Sequence, residues 1–210
     1  MIKLRKLLDE TFADAAFHGY KMSPAQMRTS TCSTEWTTPS QDTGCPQFSD
    51  SSKISKEDEQ KALDYLNKEN IEHLVAYSRG GAILLQALSK GSKKPSKVVF
   101  VAPAWNRQWP SSKLSGGEAS GLSGTIVHGS ADDAVPVKHS IMLAQKSNLP
   151  VYVVKNANHI NILKYKDSPE SGIRITNLED AINKLPDWGE TGKASPEDLK
   201  AQIDYINSLK

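Results

Sequence analysis

The stretch that decides the fold is "IEHLVAYSRGGAILLQAL", residues 71–88. Its first six residues form a short apolar run typical of a buried strand, and the residues from Gly80 to Ser89 are typical of an apolar helix. One serine, Ser78, lies between the two, with Ala76 two positions before it. Gly80 lies two positions after Ser78. We therefore expect a sharp strand-to-helix turn that carries a hydroxyl, with small residues two positions away on either side.

The alternation of strand and helix continues beyond this stretch. Apolar runs rich in β-branched residues predict further buried strands at 97–103, 124–129 and 150–156. Apolar residues at helical spacing predict helices that begin after an N-cap at Ser55 and that cover 139–147, 178–185 and 195–209. This order predicts an α/β fold in which a mostly parallel central sheet carries helices on both faces, within one domain over residues 1–210.

The N-terminal part carries weaker signals. Residues 3–12 are typical of a short amphipathic helix, whereas 12–20 fit a weak strand and a continuation of that helix equally well. Residues 23–52 have the Ser, Thr and Pro content of an irregular loop, and 104–123 are typical of a short, flexible lid or linker. We therefore expect the N-terminal half of the sheet to be reduced.

Composition and charge argue against several classes of protein. The chain has 210 residues, a net charge of +2 and scattered lysines, whereas nucleic-acid binding normally needs a concentrated basic face. No run approaches the ~20 apolar residues of a membrane span, and acidic residues interrupt the basic N-terminus before any signal-like segment. We expect a cytoplasmic protein without a metal ion or other cofactor. Cys32 and Cys45 match no metal spacing, and whether they pair is left open.

Three chemically useful side chains follow predicted strands. Ser78 follows the first clear strand, Asp132 lies in "HGSADDAVP" after the third, and His159 ends "NANH" after the fourth. Because the carboxyl ends of parallel strands meet at one edge of the sheet, we expect hydroxyl, carboxylate and imidazole to converge there. Nucleophilic acyl transfer needs this set, since a base must take the hydroxyl proton and a third group must orient the base.

These segments resemble the α/β-hydrolase superfamily. "AYSRGG" is similar to its G-x-S-x-G nucleophile elbow with Ala76 for the first glycine, "HGSADDAVP" to H-G-x-x-D-x-x-V-P, and "NANHINI" to the turn that carries its histidine. The resemblance covers roughly residues 55–165. It implies a small serine hydrolase without a large cap domain, which cleaves a carboxylic ester or related acyl bond of a small molecule through Ser78, Asp132 and His159.

The resemblance also implies an oxyanion hole made of two backbone N–H groups. One belongs to Arg79, the residue after the nucleophile. The second normally comes from a loop after an earlier strand, and the candidates here are Gly19 and Tyr20. The Ser- and Thr-rich segment 23–52 is the alternative source.

Other interpretations stay open at this point. Trp105 and Trp109 follow a strand end, where they either line the substrate site or pack in the core. Asp133 is expected to cap the following helix or to lie solvated in its turn. Structural or surface roles are expected for His73, His128 and His139. The same site would serve an acyltransferase or thioesterase, and a non-catalytic interaction protein is the third hypothesis. The sequence does not indicate an oligomeric state.

Overall fold

A six-stranded sheet forms the centre of the computed structural model, which describes residues 15–22, 44–51, 53–106, 114–164, 169–188 and 192–209. The strands are β1 (Ala15–Phe17), β2 (His73–Tyr77), β3 (Lys97–Val101), β4 (Ser123–Gly129), β5 (Val151–Val154) and β6 (Ile173–Arg174). They are arranged in chain order; the first five are parallel, and β6 pairs antiparallel with β5. The predicted α/β fold with a mostly parallel sheet is confirmed.

Helices connect the strands. In the described ranges the α-helices are α1 (Lys56–Lys68), α2 (Arg79–Ser89), α3 (Val137–Ser147), α4 (Leu178–Lys184) and α5 (Pro196–Ser208). Short 3-10 helices cover Gly117–Ala119, Asn161–Lys164 and Pro169–Ser171. Because crossovers between parallel strands are right-handed and the sheet advances in one direction, α1, α2 and α3 are placed on the same face.

Alternate residues of each strand pack on opposite faces of the sheet. In β2, Leu74 and Ala76 join the large apolar cluster to which the α-helices contribute, whereas Val75 and Tyr77 join a second cluster on the other face. The 3-10 helix Asn161–Lys164 contributes its apolar side chains to this second cluster. Tyr77 and the chain that follows β5 therefore share one face of the sheet.

Two helices begin at the predicted caps. Ser55 Oγ accepts a hydrogen bond from Asp58 N (3.0 Å), and Asp58 Oδ2 accepts one from Ser55 N (3.1 Å), which completes a capping box. Ser195 Oγ accepts from Asp198 N (3.0 Å), and Pro196 occupies the first position of α5. These local signals therefore gave the correct helix starts.

Some elements differ from the prediction or were not predicted. Of the two alternatives for residues 12–20, the structure has a strand at Ala15–Phe17, and Ala15 also forms an isolated bridge with Gly44. The edge strand β6 was missed because its two residues are too few to show a pattern. The 3-10 helix Gly117–Ala119, inside the predicted lid, packs against α2 and α3, and its Ala119 is fully buried. No helix in the described ranges is long and apolar enough to cross a membrane.

Candidate active site

Ser78 lies in a strained turn between β2 and α2. Its backbone has φ 51° and ψ −119°, a conformation that residues other than glycine rarely adopt. Its N–H donates to Val101 O (2.9 Å), and its carbonyl accepts from Gly81 N and Ala104 N (both 3.0 Å). These bonds to β3, to the chain after β3 and to α2 hold the turn that the sequence predicted.

Small residues surround the turn because no space remains for larger ones. A Cβ placed on Gly80 would lie 2.1 Å from the carbonyl oxygen of Phe17, and one on Gly81 would lie 2.8 Å from Pro103 Cβ. Ala76, at the position of the elbow's first glycine, is fully buried. The backbone of Phe17, the last residue of β1, therefore lies directly against the start of α2 at Gly80.

We expect Gly80→Ala to lower the free energy of unfolding by about 3 kcal/mol, at the upper end of ordinary overpacking. The new methyl group would overlap a backbone oxygen of β1, so only a shift of the strand could relieve it. The control is Gly117→Ala, whose nearest atom is the rotatable Ser115 Oγ at 3.2 Å. Urea denaturation of both variants checks the prediction, and equal losses of stability would contradict it.

The three side chains predicted from the strand ends are linked by hydrogen bonds. His159 Nε2 lies 2.9 Å from Ser78 Oγ, and His159 Nδ1 lies 2.7 Å from Asp132 Oδ2. Because a carboxylate only accepts, Nδ1 carries the proton and Nε2 accepts from the serine hydroxyl. This is the orientation in which an imidazole can remove the hydroxyl proton. The His159 side chain is 16% exposed, so the imidazole can be reached from solvent.

Asp132 is wholly buried but fully hydrogen-bonded. Its Oδ1 accepts the N–H groups of Ala134 (2.9 Å) and Val135 (2.8 Å), while its Oδ2 accepts from His159 and lies 3.1 Å from His128 Nε2. Burial raises the pKa of Asp132, but the charge of His159 and the hydrogen bonds from both histidines outweigh it and hold this pKa well below its ordinary value. The carboxyl group therefore stays ionised beside the imidazole.

His128 supports Asp132 from its other side. Its Nε2 lies 3.0 Å from Val135 O as well as beside Asp132, and both of these oxygens only accept. Nε2 therefore carries the proton, and the Ser140 hydroxyl donates to Nδ1 over 2.6 Å. The structural role expected for His128 is thus one of direct contact with Asp132.

Gln202 of α5 is a buried contact that the sequence did not reveal. Its side-chain NH₂ donates to Ser130 O (3.0 Å) and Asp132 O (3.2 Å), and its Oε1 accepts from Val137 N at the start of α3 (2.9 Å). Asp133 does not cap that helix and lies exposed in the turn. The C-terminal helix therefore fixes the Asp132 loop from more than sixty residues away, beyond the range of any local pattern.

The loop after β1 reaches Ser78 from the opposite side. A Cβ placed on Gly19 would lie 3.2 Å from Ser78 Cβ and 2.9 Å from the ring of Tyr77, so only glycine fits there. Tyr20, the next residue, is exposed. Arg79 is the first residue of α2, and a first helical N–H has no acceptor within its own helix. Both segments that were expected to supply oxyanion donors therefore border the serine.

His18 fixes this loop to segment 44–51. Its Nε2 accepts from Phe48 N (3.0 Å), so its Nδ1 carries the proton and donates to Gly19 O (2.9 Å). Burial lowers the pKa of His18, and together with the charge of Arg79 it outweighs the hydrogen bond to Gly19. His18 therefore stays neutral, as its acceptor role requires.

A buried ion pair anchors the residue after the serine. Arg79 Nη2 lies 2.6 Å from Asp58 Oδ2 and also donates to Lys53 O (3.0 Å), and both charged side chains are buried. Asp58 further accepts from Ser49 N and Ser49 Oγ (both 2.7 Å). Burial raises the pKa of Asp58, but the hydrogen bonds from Ser49 and Ser55 and the charge of Arg79 lower it to about 2. Helix α1 and segment 44–51 are thus tied to the start of α2.

The sequence left alternatives open for the two tryptophans and the two cysteines. Trp105 is buried, and its indole N–H donates to His139 O (2.8 Å), so it packs against α3. Trp109 and Cys32 lie outside the described residues, and Cys45 is half-buried. Among the residues that the structure describes, no group of three or more His, Cys, Asp or Glu side chains could hold a metal ion.

Comparison with known proteins identifies the fold. No family model matches the chain, and no curated protein matches it. A protein from Xanthomonas campestris pv. campestris, provisionally assigned as a hydrolase of the alpha/beta superfamily, superposes with a TM-score of 0.54 at 16% identity, over 93% of this chain and 96% of that chain. A predicted CIB-like hydrolase from Thermoplasma acidophilum superposes with a TM-score of 0.49 at 20% identity, over 80% and 83%. The likeness is one of fold alone: this chain shares the α/β fold of the Xanthomonas protein.

Proposed function

We propose that this protein is a serine hydrolase that cleaves a carboxylic ester or a related acyl bond. The observation that carries the proposal is the hydrogen-bonded series from Ser78 through His159 to Asp132, with distances of 2.9 and 2.7 Å, at a serine held in a strained strand-to-helix turn. A serine in an ordinary helix cap would need neither the strained backbone nor an oriented imidazole at its hydroxyl.

The geometry supports a two-step reaction. His159 Nε2 takes the hydroxyl proton while Ser78 Oγ attacks the substrate carbonyl carbon, and Asp132 stabilises the imidazolium that forms. The tetrahedral intermediate collapses when His159 returns this proton to the leaving alcohol, which leaves the acyl group on Ser78. Water then attacks the acyl-enzyme with His159 again as the base, and the carboxylic acid is released with Ser78 restored.

The negative charge of the intermediate needs hydrogen-bond donors close to Ser78. In this proposal the backbone N–H of Arg79 supplies one, and the loop that contains Gly19 and Tyr20 supplies the other. Two positions support this assignment of donors. The backbone of Gly19 lies beside Ser78 Cβ, and Arg79 is the first residue of α2. Loss of one such donor costs about 10²- to 10³-fold in rate in enzymes of this kind.

Covalent labelling tests the proposed nucleophile. A fluorophosphonate probe is expected to add once to the folded protein, because Ser78 Oγ attacks its phosphorus and displaces fluoride, and peptide mapping should place the adduct on Ser78. Ser78→Ala should abolish labelling. The control is Ser89→Ala at the other end of α2, where the hydroxyl donates to Gln86 O. A folded wild-type protein that stays unlabelled, or an adduct elsewhere, would refute the proposal.

A further inference from the structure

We propose that Tyr77 is a positioning residue that holds both His159 and the Gly19 loop in place around Ser78. Tyr77 is buried, and it is the last residue of β2, directly before Ser78 in the chain. Tyr77 pairs with Val101 of β3, and the preceding residue, Ala76, pairs with Phe17 of β1, so the sheet fixes its backbone position. The inference rests on the proposed function, because a positioning role needs a reaction to serve.

On one side, Tyr77 contacts the segment that carries the base. Its hydroxyl donates to His159 O over 2.8 Å, and its ring centroid lies 5.1 Å from that of the imidazole, with 33° between the planes. Among the described residues, the side chains of Asn158 and Asn161 bond to backbone within the same short segment. The Tyr77 hydroxyl instead joins this segment to the centre of the sheet, across 82 residues of sequence.

On the other side, the same ring packs against the Gly19 loop. A Cβ on Gly19 would lie 2.9 Å from both Cδ1 and Cε1 of Tyr77, closer than real Cβ contacts allow. The glycine backbone therefore rests directly on the aromatic ring. One side chain thus contacts the loop that carries the base and the loop proposed to supply an oxyanion donor.

The phenol must stay protonated in order to donate to His159 O. Burial raises the pKa of Tyr77, and the nearby charge of Asp132 raises it further, so the hydroxyl keeps its proton at any pH at which the protein works. Phenylalanine would keep the ring, its packing on Gly19 and its contact with the imidazole. The substitution Tyr77→Phe therefore removes the hydrogen bond alone.

The test compares Tyr77→Phe with Tyr205→Phe. Tyr205 lies in α5 and donates to Asp180 Oδ2 (3.0 Å), so its change also removes one tyrosine hydrogen bond, but at a distance from the site. With p-nitrophenyl acetate, Tyr77→Phe is expected to lower kcat about 10-fold and leave KM unchanged, since displacement of a reacting group by 1 Å can cost about 10²-fold. Fluorophosphonate labelling should slow by the same factor. The low-field NMR signal of the proton between His159 and Asp132 should weaken. Tyr205→Phe should leave all three unchanged.

Each result decides a separate question. A folded Tyr77→Phe variant with wild-type kcat, labelling rate and NMR signal would overturn the positioning role while the proposed function stands. A wild-type protein that does not label would instead overturn the proposed function. If Tyr77→Phe does not fold in buffer, wild type, Tyr77→Phe and Tyr205→Phe are compared in concentrated sucrose, which favours the folded state. Slower labelling of Tyr77→Phe than of Tyr205→Phe supports the role there, and equal labelling rates overturn it.

Discussion

Replacing Ser78 by alanine is expected to lower kcat by about 10⁶-fold, because the proposed covalent route through an acyl-enzyme is lost with the hydroxyl. Asp132→Asn should cost about 10⁴-fold, since an asparagine NH₂ beside His159 Nδ1 would favour the wrong tautomer of the imidazole. Both expectations follow from the distances of 2.9 and 2.7 Å that link Ser78, His159 and Asp132.

The combination of these changes separates a cooperating triad from three independent residues. A triple variant, Ser78→Ala, His159→Ala and Asp132→Asn, should be about as slow as Ser78→Ala alone, since side chains that act as a unit are not additive. Steady-state rates with p-nitrophenyl acetate measure this. The control is His73→Gln at the amino end of β2, opposite to the site, and it should keep the wild-type kcat. Additive losses would show that the three residues do not act together.

The second large effect is expected on stability, from Asp58→Asn. This change would leave the buried Arg79 guanidinium without its counter-charge, which typically costs 3–5 kcal/mol, or about half of a small domain's stability. Glu57→Gln is the matched control in the same turn of α1, because Glu57 pairs with Lys61 in solvent and should contribute about 0.5 kcal/mol or less. Urea denaturation of both variants gives the comparison. Similar losses of unfolding free energy in the two variants would show that the buried pair of Asp58 and Arg79 stabilises the protein no more than an exposed pair does.

The contribution of Asp58 to the free energy of unfolding should also depend on pH. Its pKa is about 2 in the folded protein, compared with an ordinary value of 3.8. For a carboxyl with a lowered folded pKa, the stabilisation is complete above the unfolded pKa and is lost as pH falls through the folded one. The gap in unfolding free energy between wild type and Asp58→Asn should therefore narrow by about 2 kcal/mol between pH 4 and pH 2. A constant gap would contradict this.

The sequence was sufficient where the position of a side chain follows from the end of a strand. Ser78, Asp132 and His159 each follow a predicted strand, and the parallel sheet brings such positions to one edge without further information. The elbow could also be predicted, because a strained turn demands small neighbours, and Ala76 and Gly80 supply them. The juxtaposition of the three side chains was therefore predictable before their bonds were known.

The supporting contacts could not be predicted in the same way. Alternation along β2 shows which face Tyr77 occupies, but not that its hydroxyl meets a carbonyl 82 residues later. Likewise, Asp58 is one of three consecutive acidic residues in the first turn of α1, and nothing local distinguishes it from Glu57 as the partner of Arg79. Such pairings depend on how helices, strands and loops pack together in three dimensions. No repeating pattern in a single sequence indicates which of them meet.

The position of β1 has a consequence for the durability of the site. This strand has three residues at the end of the sheet, and among the described residues it is paired only with β2 and through the bridge from Ala15 to Gly44. Asp132 and His159, in contrast, follow β4 and β5, which lie in the interior of the sheet. Local unfolding of β1 would move the Gly19 loop away from Ser78, while the strands that precede Asp132 and His159 stay paired. The proposed activity can therefore be lost at a lower free energy than that of global unfolding.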